Sequence, residues 1–535
     1  MIATTRSLSG WAFWLALATA WFATMSWRPM LEPDEGRYAE VPREMHVTGD
    51  WVTPRLDGVK YFEKPPLQYW ATATLYSFFG VKEWTSRFWS CALAFLCLPL
   101  TYAFARHLYR SEAAGLAALT ALAINPYFAV VGQLNLLDSS LAFFLTAAMF
   151  AFLRARSEPE GSPQERRWML IVALAMALAT LTKGIVALAL AGGTLVLHMV
   201  ITREVRSLRR WHLALTIPLY LAVTLPWFFV VSARNPEFPG FFFIHEHFQR
   251  YLTDVSDRVE PWWFFLPSVF LAVLPWIGLL VPAVRDVWRT GTRNPAASVP
   301  WFLLIWCLFT VLFFSASHSK LPTYVLPIMP ALAVLLAPRI ADVRTRVRSA
   351  AWISFGAVAL VAIGLFLLGR RSGEEMPFAV PAWAAIAGTI AILGALFATR
   401  RALAPIAASI LAFQALIVSY SALPPLRTAK WLVAEVRPAI GPHTQLFSVD
   451  QYRQSIPPYL GRTLSLVMYR GELEFGISQE SGHFIETLDQ FIAEWLRQRD
   501  AVAFIDAPLM QTLDERQVPM RVIARDDRTV AVARR

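Results

Sequence analysis

Thirteen apolar runs, each close to the length of a membrane span, follow one another along most of the chain. A transmembrane helix needs about 20 apolar residues to cross the hydrocarbon core of a bilayer. The composition agrees, because 56% of the 535 residues are hydrophobic and only 16% are charged, against about 25% charged residues in soluble proteins. The runs lie at about 10–27, 84–105, 113–131, 138–153, 168–182, 185–202, 212–232, 262–284, 300–317, 321–338, 350–369, 380–398 and 402–422. We therefore predict an α-helical integral membrane protein with about thirteen transmembrane helices.

Arginine residues are concentrated in alternate loops between these runs. Because basic loops stay on the cytoplasmic side of a membrane, we predict that the N-terminus lies inside. Arg370 and Arg371 fall in a loop that this scheme places outside, which is its one exception. The same loops account for the net charge of +11, so this charge does not indicate a nucleic-acid partner. The basic positions are Arg106, Arg110, Arg154, Arg156, Arg166, Arg167, Arg203, Arg206, Arg209, Arg210, Arg285, Arg289, Arg293, Arg339, Arg344, Arg346, Arg348, Arg400 and Arg401.

Two long loops and the C-terminal part are then external. Loop 28–83 contains Leu67–Phe79, which is apolar but too short to span, so we predict a juxtamembrane helix lying in the interface. Loop 233–261 mixes aromatic and charged residues and is predicted to form a second cap over a cavity. The predicted transmembrane domain therefore covers residues 1–422.

From about residue 423 to residue 535 the composition is that of a soluble protein. The periodicity of its apolar residues predicts helices at 431–436 and 486–497. Short β-branched segments between turn residues predict strands at 445–449, 501–505, 519–524 and 529–533. We predict a small external α/β domain, in which no catalytic motif stands out.

Charged residues directly follow the first apolar run, where Asp34, Glu35, Arg37 and Glu40 lie close together. Ionised groups beside a bilayer are costly to desolvate, and they usually mark a reaction site or a substrate path. Asp34 also follows a proline, so the alternative is that it caps a helix. The density of other polar groups in the external loops favours an enzyme.

Further charged groups lie in the same external loops. Lys64 suits a phosphate as a point charge, with an anionic-lipid anchor as the alternative. Arg250 has a fork that matches phosphate geometry. Glu63 with His245 would form part of a zinc-like metal site, although packing histidines are the commoner explanation of such a pattern.

Two more segments carry polar groups near the external ends of spans. Asp138 either caps a helix or lines a cavity, and Lys183 either lines the same cavity or snorkels to the interface. Lys320 and Tyr324 lie in a proline-rich turn that suits a lipid phosphate, with an ordinary hairpin as the alternative.

In combination these motifs resemble those of the aminoarabinose transferases, which belong to the protein O-mannosyltransferase-like, lipid-phosphate-dependent glycosyltransferases of the GT-C type. The resemblance covers the whole predicted membrane part in order. The matching segments are 34–40, 61–70, 181–184, 246–251 and 319–327. The external C-terminal domain is also similar to that of the family.

The resemblance implies transfer of 4-amino-4-deoxy-L-arabinose from undecaprenyl phosphate to lipid A phosphates, at the periplasmic face of a bacterial inner membrane. Such transfer lowers the negative charge of the outer membrane and gives resistance to polymyxin. The resemblance implies that Asp34 is the key catalytic residue, and we add Glu35 and Asp138 as further catalytic candidates. It also implies that Lys64 and Arg250 hold the donor phosphate and that Tyr324 and Lys320 line the lipid site, to which we add Arg37. We predict that the substrate cavity is lined by Tyr38, Tyr61, Lys183 and Glu63.

Two alternatives stay open. One is a related glycosyltransferase that uses another lipid-phosphate sugar or a protein hydroxyl acceptor. The other is a transporter of lipid-linked sugars, which the absence of internal sequence repeats disfavours. We expect a monomer that requires no cofactor, apart from the zinc-like metal at Glu63 and His245, and that contacts membrane lipids but no nucleic acid.

Overall fold

The computed structural model describes residues 8–253, 260–274, 276–291, 298–341, scattered positions between 356 and 367, and residues 379–397, 403–421, 428–480, 482 and 484–534. Up to residue 421 the described chain is almost entirely helical. The helices are α1 Leu8–Phe22, α2 Asp34–Thr48, α3 Leu67–Phe79, α4 Glu83–Tyr109, α5 Glu112–Ala123, α6 Pro126–Val131, α7 Leu137–Arg156, α8 Pro163–Lys183, α9 Val186–Thr202, α10 Leu213–Arg234, α11 Arg250–Leu252, α12 Phe265–Val273, α13 Ile277–Gly291, α14 Val299–Ala316, α15 Met329–Ala341, α16 Ala379–Phe397 and α17 Leu403–Ser421. A π-helix, Gly240–Gln249, precedes α11, and 3-10 helices cover Val205–Trp211 and Pro322–Ile328.

Most predicted spans coincide with these helices. The span predicted at 350–369 lies mostly outside the described residues, so it stays a prediction. The same holds for the loop arginines at positions 293, 344, 346, 348, 370, 371, 400 and 401. By length and composition, five described helical segments can cross a membrane, or six if α12 and α13, bent by 94°, are one broken span. The described part is therefore a multi-span helical protein, and the total of thirteen stays a prediction.

A buried asparagine joins two helix breaks. Asn125 lies just after α5 and caps α6, where its Oδ1 accepts a hydrogen bond from the Phe128 N–H at 3.1 Å. Its Nδ2 donates to the carbonyls of Ala272 at 2.8 Å and Leu274 at 2.7 Å, where α12 ends. A broken helix leaves carbonyls without partners, and inside a membrane they must be satisfied by protein. Asn125 therefore stabilises both interruptions at once.

The loop 28–83, which is predicted to be external, forms two helices, α2 and α3, joined by a two-stranded hairpin of β1 Arg55–Leu56 and β2 Val59–Lys60. The predicted juxtamembrane helix has the observed bounds of α3. A buried ion pair ties α2 to α4, because Arg87 Nε lies 2.7 Å from Glu35 Oε1 and Arg87 Nη2 lies 2.7 Å from Glu35 Oε2. The loop is therefore anchored on the membrane helices.

The C-terminal part is a mixed α/β domain, as predicted. Its strands are β3 Gln445–Val449, β4 Ser465–Val467, β5 Phe484–Ile485, β6 Ala501–Asp506, β7 Met520–Arg525 and β8 Thr529–Arg534. They form one sheet in the order β5-β4-β3-β6-β8-β7. The first four strands are parallel to one another, and β8 is antiparallel to both of its neighbours, β6 and β7. Its helices are α18 Lys430–Val436, α19 Ile456–Leu460, α20 Glu474–Gln479, α21 Leu488–Arg497 and α22 Ala507–Glu515. The predicted boundary at 422/423 lies outside the described residues.

This domain packs directly on α2. A Cβ at Gly36 would lie 2.5 Å from the backbone carbon of Gln454, so only glycine allows the two backbones to approach this closely. Beside it, the buried Arg453 contacts Glu32 at 3.1 Å, and the Ser455 hydroxyl donates to the same carboxylate at 2.5 Å. The C-terminal domain therefore helps to position the segment that carries Asp34.

Candidate active site

A cavity of about 410 Å³ opens where the segments around Lys64 and Arg250 meet the ends of α8 and α14. Its wall carries three cations, Lys64, Lys183 and Arg250, and one carboxylate, Glu246. Most of the remaining wall is apolar or aromatic and includes Phe313, from α14. A cationic end beside an apolar wall suits an anion that carries a lipid chain.

Two carboxylates hold Lys64 and Arg250 in place. Arg250 Nη1 lies 2.7 Å and Lys64 Nζ 3.2 Å from the same oxygen of Glu246. Glu63 Oε2 lies 3.8 Å from Lys64 Nζ and 3.7 Å from Arg250 Nη1. Burial alone would raise the pKa of Glu246, but Lys64, His245 and Arg250 outweigh it and hold this pKa below its usual range. The site is therefore a preformed cluster of ionised groups.

The π-helix that carries Glu246 is held by aromatic packing. Phe238 stacks on Phe242 with ring centroids 5.1 Å apart. Phe475, from α20, stacks on Phe241 at 3.8 Å. Aromatic pairs of this kind contribute about 0.5–1.5 kcal/mol beyond the area that they bury. The C-terminal domain therefore supports the loop that brings Arg250 to the cavity.

A neutral histidine joins this loop to the end of α8. His247 Nδ1 donates to the Phe242 carbonyl at 2.7 Å, and its Nε2 accepts from the Ile185 N–H at 3.3 Å. Burial lowers the pKa of His247, which agrees with this neutral tautomer. Gly184 has φ of +78°, and a Cβ there would lie 2.4 Å from His247 Nε2. The turn that presents Lys183 therefore requires glycine.

Lys183, which lines the cavity, forms an ion pair with Asp138. Their side chains meet at 2.5 Å, and Thr323 donates to the other carboxylate oxygen at 3.2 Å. Lys183 Nζ also lies 4.5 Å from the centroid of the Tyr324 ring, a cation–π contact. Lys320 Nζ donates to the Glu260 carbonyl at 2.7 Å, and Lys320 is not among the residues that line this cavity. Its place in the donor site stays a prediction.

Asp34 belongs to a second polar group that adjoins the first. Its Oδ1 lies 3.3 Å from Arg37 Nη1, and Arg37 Nη2 lies 2.6 Å from Glu472 Oε2 of the C-terminal domain. Burial alone would lower the pKa of Arg37, but Tyr61, Glu472, Asp34 and Glu63 together raise it above its usual value. Arg37 is therefore a permanently charged link between two carboxylates.

The predicted tyrosines lie around this link. Tyr38 and Tyr61 are buried, and the charges of Arg37 and Glu63 act on both of them. Burial raises the pKa of both hydroxyls well above the usual value, so they stay protonated. Because Glu63 also lies beside Lys64 and Arg250, the structure brings the Asp34 group and the cationic cavity together.

The structure separates the roles of the two adjacent acids in α2. Asp34 is the first helical residue, Pro33 occupies the capping position, and no side chain caps this helix. Capping therefore does not explain Asp34, whose side chain is 39% exposed. Glu35 is buried, and besides Arg87 its carboxylate accepts the N–H groups of Leu31 and Asn135, both at 3.0 Å. These contacts indicate that Glu35 supports the fold, and its catalytic role stays a prediction.

The metal prediction has little geometric support. Among the described residues, no group of three or more His, Cys, Asp or Glu side chains is arranged to hold a metal ion. His245 Nδ1 instead lies 3.7 Å from Glu246 Oε1. A zinc-like site at Glu63 and His245 stays a prediction, and no step proposed below depends on it.

Sequence reasoning missed several residues of this site. Glu472 and Gln454 come from the C-terminal domain, where Gln454 Nε2 donates to Glu472 Oε1 at 2.5 Å. No local pattern marks them, because Glu472 reaches the site only through the distant Arg37, and Gln454 reaches it through Glu472. Glu246 had a visible signal, since it lies four residues before Arg250, a spacing that pairs side chains on one helical face.

Two family profiles match the chain. The dolichyl-phosphate-mannose-protein mannosyltransferase family matches residues 10–290, and the aminoarabinose transferase C-terminal domain matches residues 432–534. An undecaprenyl phosphate-alpha-4-amino-4-deoxy-L-arabinose arabinosyl transferase of Pseudomonas paraeruginosa is 32% identical over 497 residues, which are 88% of each chain. Its counterpart in Aeromonas hydrophila is 34% identical over 382 residues, which are 69% of this chain and 68% of the relative.

Solved structures agree with the sequence matches. The crystal structure of ArnT from Cupriavidus metallidurans bound to undecaprenyl phosphate has a TM-score of 0.85 at 32% identity and covers 98% of each chain. The apo structure of the same protein has a TM-score of 0.83 at 31% identity, covering 99% of this chain and 98% of that one. The archaeal oligosaccharyltransferase AglB shares only the fold, with a TM-score of 0.54 at 13% identity. The chain therefore belongs to the aminoarabinose transferase family of membrane-embedded, lipid-phosphate-dependent glycosyltransferases.

Proposed function

We propose that this enzyme transfers 4-amino-4-deoxy-L-arabinose from undecaprenyl phosphate to phosphate groups of lipid A. The names of its relatives and the undecaprenyl phosphate bound to the similar ArnT structure support the donor. The observation that carries the proposal is the cavity in which three cations adjoin an apolar wall, because it fits a phosphate on an isoprenoid chain. The added amine would lower the negative charge of lipid A and reduce the binding of cationic peptides.

The donor phosphate is the leaving group of the proposed reaction. The bond between the sugar C1 and the donor phosphate oxygen breaks, and C1 bonds to an oxygen of the acceptor phosphate. Negative charge grows on the departing lipid phosphate. Lys64 and Arg250 would stabilise this charge, and preorganised electrostatic contacts of this kind usually contribute more to catalysis than any other single effect.

The proposed role of Asp34 follows from the acceptor. A phosphate is already anionic, so it needs a strong base less than a hydroxyl does. The sugar C1 gains positive charge as its bond to the donor breaks, as in other glycosyl transfers. Asp34, which is partly exposed and linked to the cavity through Arg37 and Glu63, would stabilise this charge and orient the acceptor. Tyr38 and Tyr61 would line the sugar site beside it.

Arg250→Ala and Lys64→Ala are each expected to raise the dissociation constant for the undecaprenyl phosphate donor about 10- to 150-fold, because a hydrogen bond to a charged group contributes about 1.5–3 kcal/mol. Binding of labelled donor to the purified enzyme measures this. Arg234→Ala is the matched control, since Arg234 is an exposed external arginine that only approaches Asp50 at 3.5 Å. Unchanged donor affinity in both variants would show that these cations serve as membrane anchors.

Transfer by the purified enzyme tests the function itself. We expect mass spectrometry to detect the aminoarabinose-modified product from lipid A and undecaprenyl phosphate aminoarabinose. Modification of a protein hydroxyl instead of lipid A would favour the alternative acceptor. Movement of the intact donor across a vesicle membrane without transfer would favour the transporter.

We further propose an N-inside orientation, with the active site and the C-terminal domain in the periplasm. The arginine-rich loops of the sequence support this orientation. An impermeant thiol reagent added outside the inner membrane should label a single cysteine at Ser478 and leave one at Arg209 unlabelled. Labelling of both from the same side would refute the orientation.

A further inference from the structure

A second cavity, of about 430 Å³, lies between the C-terminal domain and the segment that leads into α2. Pro33, the neighbour of Asp34, forms part of its wall. Asp450, Asp506 and Tyr469 contribute from the C-terminal domain. None of these three residues lines the cationic cavity around Lys64 and Arg250. The proposed binding of the donor therefore gives no role to this second cavity, which we call the crevice.

The crevice occupies a special position in the sheet. Strand β3 is parallel to β4 on one side and to β6 on the other. The chain runs from β3 to β4 and β5 and then returns across β3 to β6, so the direction of winding changes between β3 and β6. Ligands of open parallel sheets bind at the carboxyl ends of the strands at this kind of switch point. Asp450 directly follows β3 and Asp506 ends β6, so both lie there.

The wall has the chemistry of a sugar site. Asp450 and Asp506 form no ion pair within the described part of the chain, so their oxygens are available to accept hydrogen bonds. Gln451 is only 6% exposed, and its amide nitrogen donates to no described atom. The rings of Tyr452 and Tyr469 lie 6.4 Å apart and add aromatic surface. Carboxylates and amides can pair with sugar hydroxyls, and aromatic rings can pack against the apolar face of a sugar.

One cation completes the wall. Arg528 is 44% exposed, and its nearest described carboxylate, Glu32, is 3.7 Å away. Glu32 already contacts Arg453 and Ser455 at closer range, so Arg528 keeps N–H groups free for an anion. An arginine fork recognises phosphate well. The crevice therefore suits a sugar that carries a phosphate.

A continuous polar path joins this crevice to Asp34. Gln454 lines the crevice and donates to Glu472 at 2.5 Å. Glu472 contacts Arg37 at 2.6 Å, and Arg37 contacts Asp34 at 3.3 Å. Arg37 also interacts electrostatically with Glu63, which lies beside Lys64 of the cationic cavity. Asp34 and Arg37 therefore lie between the two cavities.

We infer that this crevice binds the phosphorylated sugar head group of the acceptor and presents its phosphate towards Asp34. The inference rests on the proposed function and deepens it, because it assigns the acceptor site to the C-terminal domain. The donor and acceptor then enter from two cavities and meet at Asp34. This gives the C-terminal domain a direct part in substrate recognition.

The test uses the two variants Asp506→Ala and Arg528→Ala in the full-length enzyme. Asp506 makes no capping hydrogen bond and Arg528 is half exposed, so both variants should fold. Each should raise the KM for lipid A about 10-fold, the loss expected for one hydrogen bond. The KM for the donor and the kcat at saturating lipid A should not change. Asp514→Ala, at an exposed acid of the same domain, is the control and should behave as wild type.

An unchanged KM for lipid A in both variants would overturn the inference. A rise in the KM for the donor alone would also overturn it and would place the donor sugar in the crevice. Binding of lipid A to the enzyme in detergent micelles, measured without donor, separates this inference from the proposed function. If the wild type binds lipid A but transfers no sugar to it, weaker binding by both variants still supports the crevice. Equal binding by wild type and variants, or no binding by the wild type, refutes it.

Discussion

Asp34→Asn is expected to slow sugar transfer about 10²- to 10³-fold, the range seen when one preorganised electrostatic contact is removed from an active site. Asparagine has nearly the same shape but carries no negative charge to stabilise the sugar C1. Arg37 stays paired with Glu472 at 2.6 Å, so the surroundings of residue 34 are kept. The affinity for the donor and the thermal stability should therefore stay close to those of the wild type.

Single-turnover transfer to lipid A measures the effect of this change. Asp50→Asn is the matched control in the same loop, 28–83. Asp50 Oδ1 accepts the Val52 N–H at 3.0 Å, and the asparagine oxygen can do the same, so the control should transfer at the wild-type rate. If Asp34→Asn kept most of its activity, the catalytic carboxylate would have to be sought at Glu63 or Asp138.

Arg87→Met is expected to lower the free energy of unfolding by about 3–5 kcal/mol, because it leaves a buried carboxylate without its counter-charge. The side chains of Arg87 and Glu35 are 1% and 3% exposed. Arg87 also donates to the backbone carbonyls of Met25 at 3.0 Å and Arg28 at 2.8 Å, so its loss removes several contacts at once. Denaturation in detergent, followed by tryptophan fluorescence, measures the change.

Arg470→Met provides the control, because the ion pair between Arg470 and Glu474 is exposed and should contribute no more than about 1 kcal/mol. The comparison also tests the structural role of Glu35. If Glu35 is structural, Glu35→Gln should lose activity only in proportion to the loss of folded protein. A folded and stable Glu35→Gln enzyme with little activity would restore the catalytic role predicted from the sequence.

Helix positions follow from the sequence, whereas helix breaks do not. The predicted span 138–153 lies inside α7, and the predicted juxtamembrane segment has the bounds of α3. By contrast, the predicted span 113–131 is divided at Asn125, and the predicted span 262–284 is divided between α12 and α13. Apolar content continues through both breaks. The contact of Asn125 with the carbonyls at the end of α12, which helps to stabilise the interruptions, is a tertiary one.

Part of the site was also visible in the sequence. Lys64 and Arg250 stood out as cations in the external loops of an apolar chain, and the structure brings them to one carboxylate. The local pattern did not separate Asp34 from Glu35, because adjacent acids look alike, and only the family resemblance favoured Asp34. Their surroundings differ, since Asp34 is partly exposed whereas Glu35 is enclosed by Arg87 and backbone N–H groups.

The sequence alone determined that this protein is embedded in a membrane, that it is mainly helical and which family motifs it carries. Apolar content, charge and motifs are local properties of each segment. The tertiary structure decided which charged groups face a cavity and which are buried as supports. It joined Arg37 to Glu472, which lies 435 positions further along the chain, and it placed a crevice of the C-terminal sheet beside Pro33. Such contacts depend on how distant segments pack, and no periodicity or composition within one segment encodes that packing.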